Sequence, residues 1–195
     1  MHAAYDGNIS EVKRHLDDGV RAGSLDDAGS TALMWASEKG HEAVCELLIT
    51  RGCNVDIQSN SGHTALMQAS HWGQKAVCEL LITHRCNLDI QNKGYRMTAL
   101  MDASGAGYKE ICELLITHGC NLDMQDKDGS TALIYASNNG QIPVVISLIK
   151  AGCDYSLRDK KGKSAMDILR EEHPDKVKEV QVSRSPTAVV THSLI

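Results

Sequence analysis

The 195-residue chain is 42% hydrophobic and 23% charged, a balance that is typical of folded proteins and excludes wholesale disorder. Its formal net charge of -5 provides no broad cationic field, which argues against nucleic acid or an anionic membrane surface as the partner. No apolar run approaches the roughly 20 residues that span a bilayer, and the N-terminus lacks a signal-peptide pattern, so we expect no membrane insertion and a cytoplasmic location, with the nucleus as alternative.

A four-residue motif, Thr-Ala-Leu-Met or Thr-Ala-Leu-Ile, recurs along the chain in steps of 33 or 34 residues. It occupies residues 31–34, 64–67, 98–101 and 131–134, with a weaker copy at 164–167. A fixed period of this length indicates a repeat architecture, in which each unit buries its apolar face against its neighbours.

Each copy of the motif has turn signals before it and helix signals within and after it. Asp-x-x-Gly, as in residues 26–29 and 126–129, predicts a turn at a hairpin-like tip, because Asp can cap the backbone and Gly can adopt a positive φ. The following Thr predicts the N-cap of a first helix, which ends at Gly40 in the first full unit. A second helix, from His41 to about Thr50, is closed by Gly52.

A helical projection of the first full unit separates two faces of the first helix. Leu33, Ala36 and Ser37 point the same way and form the predicted core side, flanked by Ala32 and Met34 where adjacent units touch. Trp35, Glu38 and Lys39 fall on the side away from that core, which leaves this side free to bind.

With Asp-x-x-Gly-x-Thr, Ala-Leu, Leu-Leu and Gly-Cys-Asn-Val-Asp repeated in this period, the chain resembles the ankyrin-repeat family. The resemblance implies an all-α ankyrin-repeat solenoid of stacked helix-turn-helix units with β-hairpin-like tips. The expected domain covers residues 1–180 and is followed by a flexible tail at 181–195. Its expected parts are a partial repeat at 1–25, repeats at 26–58, 59–91, 92–125 and 126–158, and a C-terminal capping repeat at 159–180.

The sequence departs from the family motif at several places. Ala replaces the usual Pro, and Met or Ile replaces the usual His, so apolar contacts are expected between repeats. Arg85 stands where the other units have Gly, and it must therefore either adopt a left-handed conformation or close the helix differently. The third hairpin, residues 92–97, has one extra residue, so its tip should differ from its neighbours.

The two ends of the chain suggest further expectations. Residues 2–8 match only the last part of a first helix, from which we expect a fragment or short isoform of a longer ankyrin protein. Ser193, Leu194 and Ile195 resemble a PDZ-domain ligand, with an apolar last residue and a hydroxyl two residues before it.

The seven cysteines fall into two columns of the repeat, which predicts small buried apolar residues instead of a redox or metal site. Neighbouring members of a column are expected roughly 8–10 Å apart, beyond disulfide reach. His41 and Cys45 imitate zinc-ligand spacing, but two ligands do not make a site. No catalytic motif appears in the chain, so we predict a protein that is not an enzyme and uses no metal or cofactor.

Variation between repeats is concentrated on the outward side of the first helices and at the hairpin tips. We call the outward side the first-helix stripe: Trp35, Glu38 and Lys39; Gln68, His71 and Trp72; Asp102, Gly105 and Ala106; Tyr135, Asn138 and Asn139. Both tryptophans of the chain lie on it, and Trp and Tyr are the usual anchors of binding hot spots. The predicted partner-binding residues are Trp35, Glu38, Lys39, His63, Gln68, His71, Trp72, Tyr95, Arg96, Asp102, Tyr135, Asn138 and Asn139.

The leading hypothesis is a monomeric protein-interaction module that binds a protein partner through the concave face formed by first helices and hairpin tips. The alternative is a scaffold or adaptor, which uses the solenoid together with a PDZ domain bound at the C-terminal tail. A third hypothesis, a cysteine-based or metal-dependent enzyme, predicts bound metal or an abnormally reactive thiol.

Overall fold

The computed structural model describes residues 1–183, which form a stack of short helices. Twelve α-helices lie within these residues, together with a 3-10 turn at Pro174–Lys176. They are α1 (His2–Tyr5), α2 (Ile9–Asp17), α3 (Ala32–Lys39), α4 (Glu42–Thr50), α5 (Ala65–His71), α6 (Lys75–Thr83), α7 (Ala99–Ala106), α8 (Lys109–Thr117), α9 (Ala132–Asn138), α10 (Ile142–Lys150), α11 (Ala165–Glu172) and α12 (Val177–Ser183).

The helices stack in sequence order in two layers. The first helices α1, α3, α5, α7, α9 and α11 each contact the next one in the series, and the second helices α2, α4, α6, α8 and α10 form a parallel layer behind them. This arrangement confirms the predicted all-α solenoid. Each repeat contacts only its neighbours in the stack. The side of each first helix that faces away from the second layer therefore recurs in every repeat.

The start of each first helix is fixed by its own motif. The hydroxyl of Thr31 accepts the N–H of Met34 at 3.2 Å, and the threonines at 64, 98 and 131 do the same in their repeats. The helix ends at Gly40, which has a φ of 75°. A side chain at Gly40 would be strained by this positive φ and would also displace the end of the Gln74 side chain of the next repeat.

The hairpin tips are joined to each other by a ladder of hydrogen bonds. The Asn60 N–H donates to the Ala28 carbonyl at 2.9 Å, and equivalent backbone bonds connect each later tip to the one before it. Gln58, Gln91 and Gln125 each donate to a carbonyl of the following repeat at 3.0–3.2 Å. Within residues 1–183 the tips carry only isolated bridges, such as Leu25 with Thr31, so they are hairpin-like without extended strands.

The core consists of the residues that the helical projection placed there. Leu33, Ala36 and Ser37 are buried, and so are Met34 and its equivalents in the next three repeats. All seven cysteines are free and buried, and burial raises the pKa of each thiol to about 11 or about 12. The prediction of small, buried apolar cysteines is therefore confirmed.

One cysteine column also partners a serine column. Ser37 Oγ lies 3.7 Å from Cys45 Sγ, and the same pairing recurs in the next two repeats. In the fourth repeat Val145 replaces the cysteine, and the buried hydroxyl of Ser137 has no hydrogen-bond partner among residues 1–183.

The two irregular positions behave as their sequences require. Arg85 takes the left-handed conformation, with a φ of 58°, and so keeps the geometry that glycine provides elsewhere. In the third tip Arg96 has a φ of 59°, and Asn92 caps the longer turn by accepting the N–H groups of Tyr95 and Met97. At the C-terminus α12 continues to Ser183, so residues 181–183 are helical where a flexible tail was expected. Residues 184–195 lie outside the described part of the chain.

Candidate functional site

The first-helix stripe and the hairpin tips form one surface that runs along the stack. Its exposure is uneven. Trp72 and Tyr95 are 51% and 57% exposed, whereas Trp35 and Tyr135 are half-buried. His71, Arg96, Asn138 and Asn139 are exposed, while His63, Gln68, Glu38, Lys39 and Asp102 are half-buried.

At the N-terminal end of the stripe, Trp35 belongs to an aromatic cluster. Its indole N–H donates to the Asp26 carboxylate of its own hairpin at 2.8 Å, and its ring meets Tyr5 edge-on with centroids 5.9 Å apart. The Lys39 ammonium lies 4.4 Å from the centre of the Tyr5 ring and 5.6 Å from that of Trp72. These cation–π contacts connect the stripe positions of three successive repeats.

The aromatic cluster is bordered by a cavity and by the charged Asp26 carboxylate. A cavity of about 440 Å³, lined by mostly apolar surface, opens between Tyr5, Asp26 and Trp35. Partial burial alone would raise the pKa of Asp26, but the N–H groups of Ser30, Trp35 and Ala28 together lower it. The carboxylate is therefore held in its charged form and fixes the orientation of the indole.

The centre of the stripe carries a polar pair that crosses two repeats. The His71 imidazole lies 3.4 Å from the Asp102 carboxylate, and its ring meets Trp72 edge-on at 5.3 Å. Burial raises the pKa of Asp102, and the neighbouring His71 and His63 only partly oppose this effect. His63 lies 2.8 Å from the Ser61 hydroxyl of its own tip.

At the C-terminal end the aromatic arrangement of the first repeat is repeated. The Tyr135 hydroxyl donates to Asp126 at 2.7 Å, and burial together with this bond raises the pKa of Tyr135. The Asn139 amide donates to the Gly105 carbonyl of the preceding repeat at 2.7 Å. His173 lies 3.3 Å from the Asn138 carbonyl, which connects the stripe to the end of α11.

The tip of the third repeat presents an exposed aromatic ring and two cations. Lys127 from the next tip lies 3.6 Å from the centre of the Tyr95 ring. Arg96 donates to the Gln91 side chain at 3.0 and 3.2 Å, which holds its guanidinium beside the tip without neutralising it.

A family model described as ankyrin repeats (3 copies) matches residues 1–92 and 78–159. The chain belongs to the ankyrin-repeat family. Members of this family are generally protein-interaction modules, so its repeats place the chain in that broad class.

Known ankyrin-repeat relatives match only part of the chain. Rat osteoclast-stimulating factor 1 is 47% identical over 49 residues, which are 25% of this chain and 23% of the relative. The zebrafish protein of the same name is 42% identical over 60 residues, 30% and 28% of the two chains. Human ankyrin repeat domain-containing protein 39 is 38% identical over 58 residues, 30% and 32%. The matches thus span about a quarter to a third of each relative.

Some residues of this ankyrin surface were not identified from the sequence. Tyr5 occupies the stripe position 33 residues before Glu38, so extending the repeat register backwards would have found it. Asp26 and Asp126 each precede a stripe aromatic by nine residues, a spacing that the sequence shows. Lys127 was missed because its contact with Tyr95 depends on how adjacent ankyrin tips align.

Between residues 1 and 183, no group of three or more His, Cys, Asp and Glu side chains is placed to hold a metal ion. None of the helices in that range is long and apolar enough to cross a membrane. The PDZ-ligand-like residues 193–195 lie outside the described residues.

Proposed function

We propose that this ankyrin-repeat chain is a non-catalytic binding module that holds a protein partner against the first-helix stripe and the hairpin tips. The observation that carries the proposal is the exposure of large aromatic side chains on this one surface. Tyr5, Trp72 and Tyr95 are 41%, 51% and 57% exposed there. Exposed aromatic rings in a fixed geometry are typical anchors of protein interfaces.

The opposite surface of the stack supports this choice by contrast. The second helices carry a row of Glu46, Glu79 and Glu113, of which the first two are exposed and the third is half-buried. Glu79 and Glu113 are paired with lysines one turn away on the same helix. Exposed charges of this kind keep a surface hydrated and contribute little to binding. A partner therefore gains more by covering the aromatic side.

The anchors differ in how free they are to meet a partner. Trp35 and Tyr135 give their hydrogen-bond donors to Asp26 and Asp126, so a partner can use only their ring faces and edges. Trp72 has a half-exposed ring that is supported by His71 and Lys39. We therefore assign the largest single contribution to Trp72, with the ring of Tyr95 as a second anchor.

The thiols do not favour a cysteine-based enzyme. A nucleophilic cysteine needs a lowered pKa and access to substrate. All seven thiols here are buried with a pKa raised to about 11 or about 12, which is the opposite condition.

The test begins with proximity labelling in cells to obtain candidate partners, followed by affinity measurements with each purified partner. We expect the double variant Trp72→Ala with Tyr95→Ala to weaken binding by about 2 kcal/mol or more, the cost typical of removing hot-spot aromatics. The matched control is Tyr155→Ala, which removes an exposed aromatic from the loop after α10. Circular dichroism melting must show that all variants remain folded.

The outcomes separate the binding module from the scaffold alternative. If every specific partner binds the double variant as tightly as the parent, the stripe and tips are not the binding surface. Deletion of residues 193–195 should leave binding to the solenoid unchanged. Loss of a partner only on that deletion would instead support the scaffold with a PDZ-bound tail.

A further inference from the structure

The hairpin tips from the third repeat onwards carry cations without ionic partners. We call these residues the basic edge: Lys93, Arg96, Lys127, Lys160 and Lys161. All five are exposed, and within residues 1–183 no carboxylate lies within 4.0 Å of any of them. Although the chain has a net charge of -5, these five cations form a local region of positive charge.

The carboxylates in the same tips are turned towards their own backbone. Asp126 accepts the N–H groups of Asp128 and Ser130 and the hydroxyl of Tyr135. Asp159 accepts the N–H groups of the residues two and four positions later. Among these tips Asp128 is the exposed acid. The five cations of the basic edge therefore outnumber the three carboxylates of these tips, Asp126, Asp128 and Asp159.

Lys93, Lys127 and Lys160 occupy equivalent positions in three successive tips, and these tips are bonded to each other. The Lys127 N–H donates to the Tyr95 carbonyl and the Lys160 N–H to the Asp128 carbonyl, both at 2.8 Å. Neighbouring repeats are separated by roughly 8–10 Å, the usual helix-packing distance. An extended peptide advances about 3.3 Å per residue, so three of its residues cover one repeat. The first tip, by contrast, carries Asp26 and Asp27 and no cation.

We propose that the basic edge binds an extended segment of the protein partner that carries an Asp or Glu side chain at about every third residue. Opposite charges then face each other along the edge, and the exposed Tyr95 ring, already covered on one side by Lys127, contacts the segment between two acidic side chains. This inference rests on the proposed function, because the segment belongs to the same partner. It adds the chemistry by which that partner is recognised.

The probe is a fluorescein-labelled peptide of about twelve residues with Glu at every third position, and its control has Gln at those positions. Anisotropy titrations use the purified full chain. We expect saturable binding of the Glu peptide, at least about tenfold weaker binding of the Gln peptide, and a loss of about tenfold between roughly 50 and 300 mM NaCl, because salt screens exposed charges.

Charge-reversal variants locate the site. Lys160→Glu with Lys161→Glu should weaken binding of the Glu peptide by about tenfold, since two attractions become repulsions. The matched control is Lys13→Glu with Lys178→Glu, which makes the same change in net charge at exposed lysines on α2 and α12 that have no ionic partner within residues 1–183. That control should bind the peptide within about twofold of the parent.

Several results overturn the proposal: no saturable binding up to about 1 mM peptide, equal binding of the Gln peptide, or equal effects of the two double reversals. Tighter binding of a single-stranded oligonucleotide than of the peptide would also refute it, by assigning the edge to nucleic acid. If the peptide fails but Trp72→Ala still abolishes partner binding, only the acidic-segment inference is lost. If the peptide binds but partners ignore Trp72→Ala, the stripe assignment is lost and the basic edge stands.

Discussion

Replacing Arg85 with glycine should stabilise the protein, although it removes a long side chain. Arg85 follows the second helix of its repeat with a φ of 58°, where Gly52, Gly119 and Gly152 have φ values of 86°, 80° and 89°. Apart from their chain neighbours, no heavy atom of residues 1–183 lies within 4 Å of the position that a Cβ atom would take at those three glycines. The site therefore has room for a side chain, and the cost of Arg85 is conformational.

The magnitude follows from two opposing terms. A left-handed conformation costs a residue with a Cβ atom about 1–2 kcal/mol, and Arg85→Gly removes that cost. Glycine has greater freedom in the unfolded chain, which opposes folding by about 0.5–1 kcal/mol. The difference between these two effects is about 0–1.5 kcal/mol, and its centre, about 0.75 kcal/mol, corresponds to a rise in Tm of about 2–3 °C for a chain of this size.

Urea denaturation followed by circular dichroism measures this difference, and the matched reverse variant is Gly119→Arg. We expect Gly119→Arg to lose about the amount that Arg85→Gly gains, with an unchanged dependence on urea concentration. A destabilised Arg85→Gly variant, or an unaffected Gly119→Arg variant, would refute the view that backbone strain dominates at this position.

Three further predictions concern buried polar groups. Ser137→Ala should stabilise the fold by about 1 kcal/mol, measured by urea denaturation, because it removes a buried hydroxyl that has no hydrogen-bond partner in the described part of the chain. The seven thiols should resist a thiol-specific reagent at neutral pH and react together once denaturant unfolds the chain, because burial raises the pKa of each to about 11 or about 12. Asp102→Asn should raise the Tm at pH 7, because burial raises the pKa of Asp102 and its ionisation therefore opposes folding.

Each of these predictions has its own control. Ser104→Ala, whose hydroxyl lies 3.5 Å from Cys112, should not stabilise the fold, and a gain equal to that of Ser137→Ala would show that the missing partner is irrelevant. Rapid reaction of any thiol in the native protein would contradict its burial. For Asp102, stability is present below the ordinary carboxyl pKa and is lost as pH rises through the raised value. The Tm advantage of Asp102→Asn should therefore shrink towards pH 4, and an advantage independent of pH would contradict the charge argument.

The fold could be predicted in detail because stacking makes the sequence repeat itself. The 33-residue period located the helices, and the caps at Thr31 and Gly40 marked their ends. The missing glycine at Arg85 predicted either a left-handed conformation or a different closure of the helix. The structure shows the left-handed conformation. These features depend on local sequence and on contacts that recur in every repeat.

The candidate site was less predictable because its contacts differ from repeat to repeat. The helical projection placed Trp35 and Tyr135 on the outward side, but it could not show that each donates a hydrogen bond to the Asp of its own tip. It also could not show that Lys39 reaches both Tyr5 and Trp72, because that depends on the rotamers of long side chains in three repeats. At the C-terminus, loss of the 33-residue period did not mean loss of helix, since α12 continues to Ser183.

Hydrogen exchange of the chain alone and in complex with a purified partner tests the central claim most directly. If the partner lies against the first-helix stripe, slowed exchange should appear in α3, α5, α7 and α9 and in the hairpin tips before them, with α4, α6, α8 and α10 unchanged. Slowed exchange confined to those second helices would place the partner on the side of the stack that carries Glu46, Glu79 and Glu113, and would contradict the account.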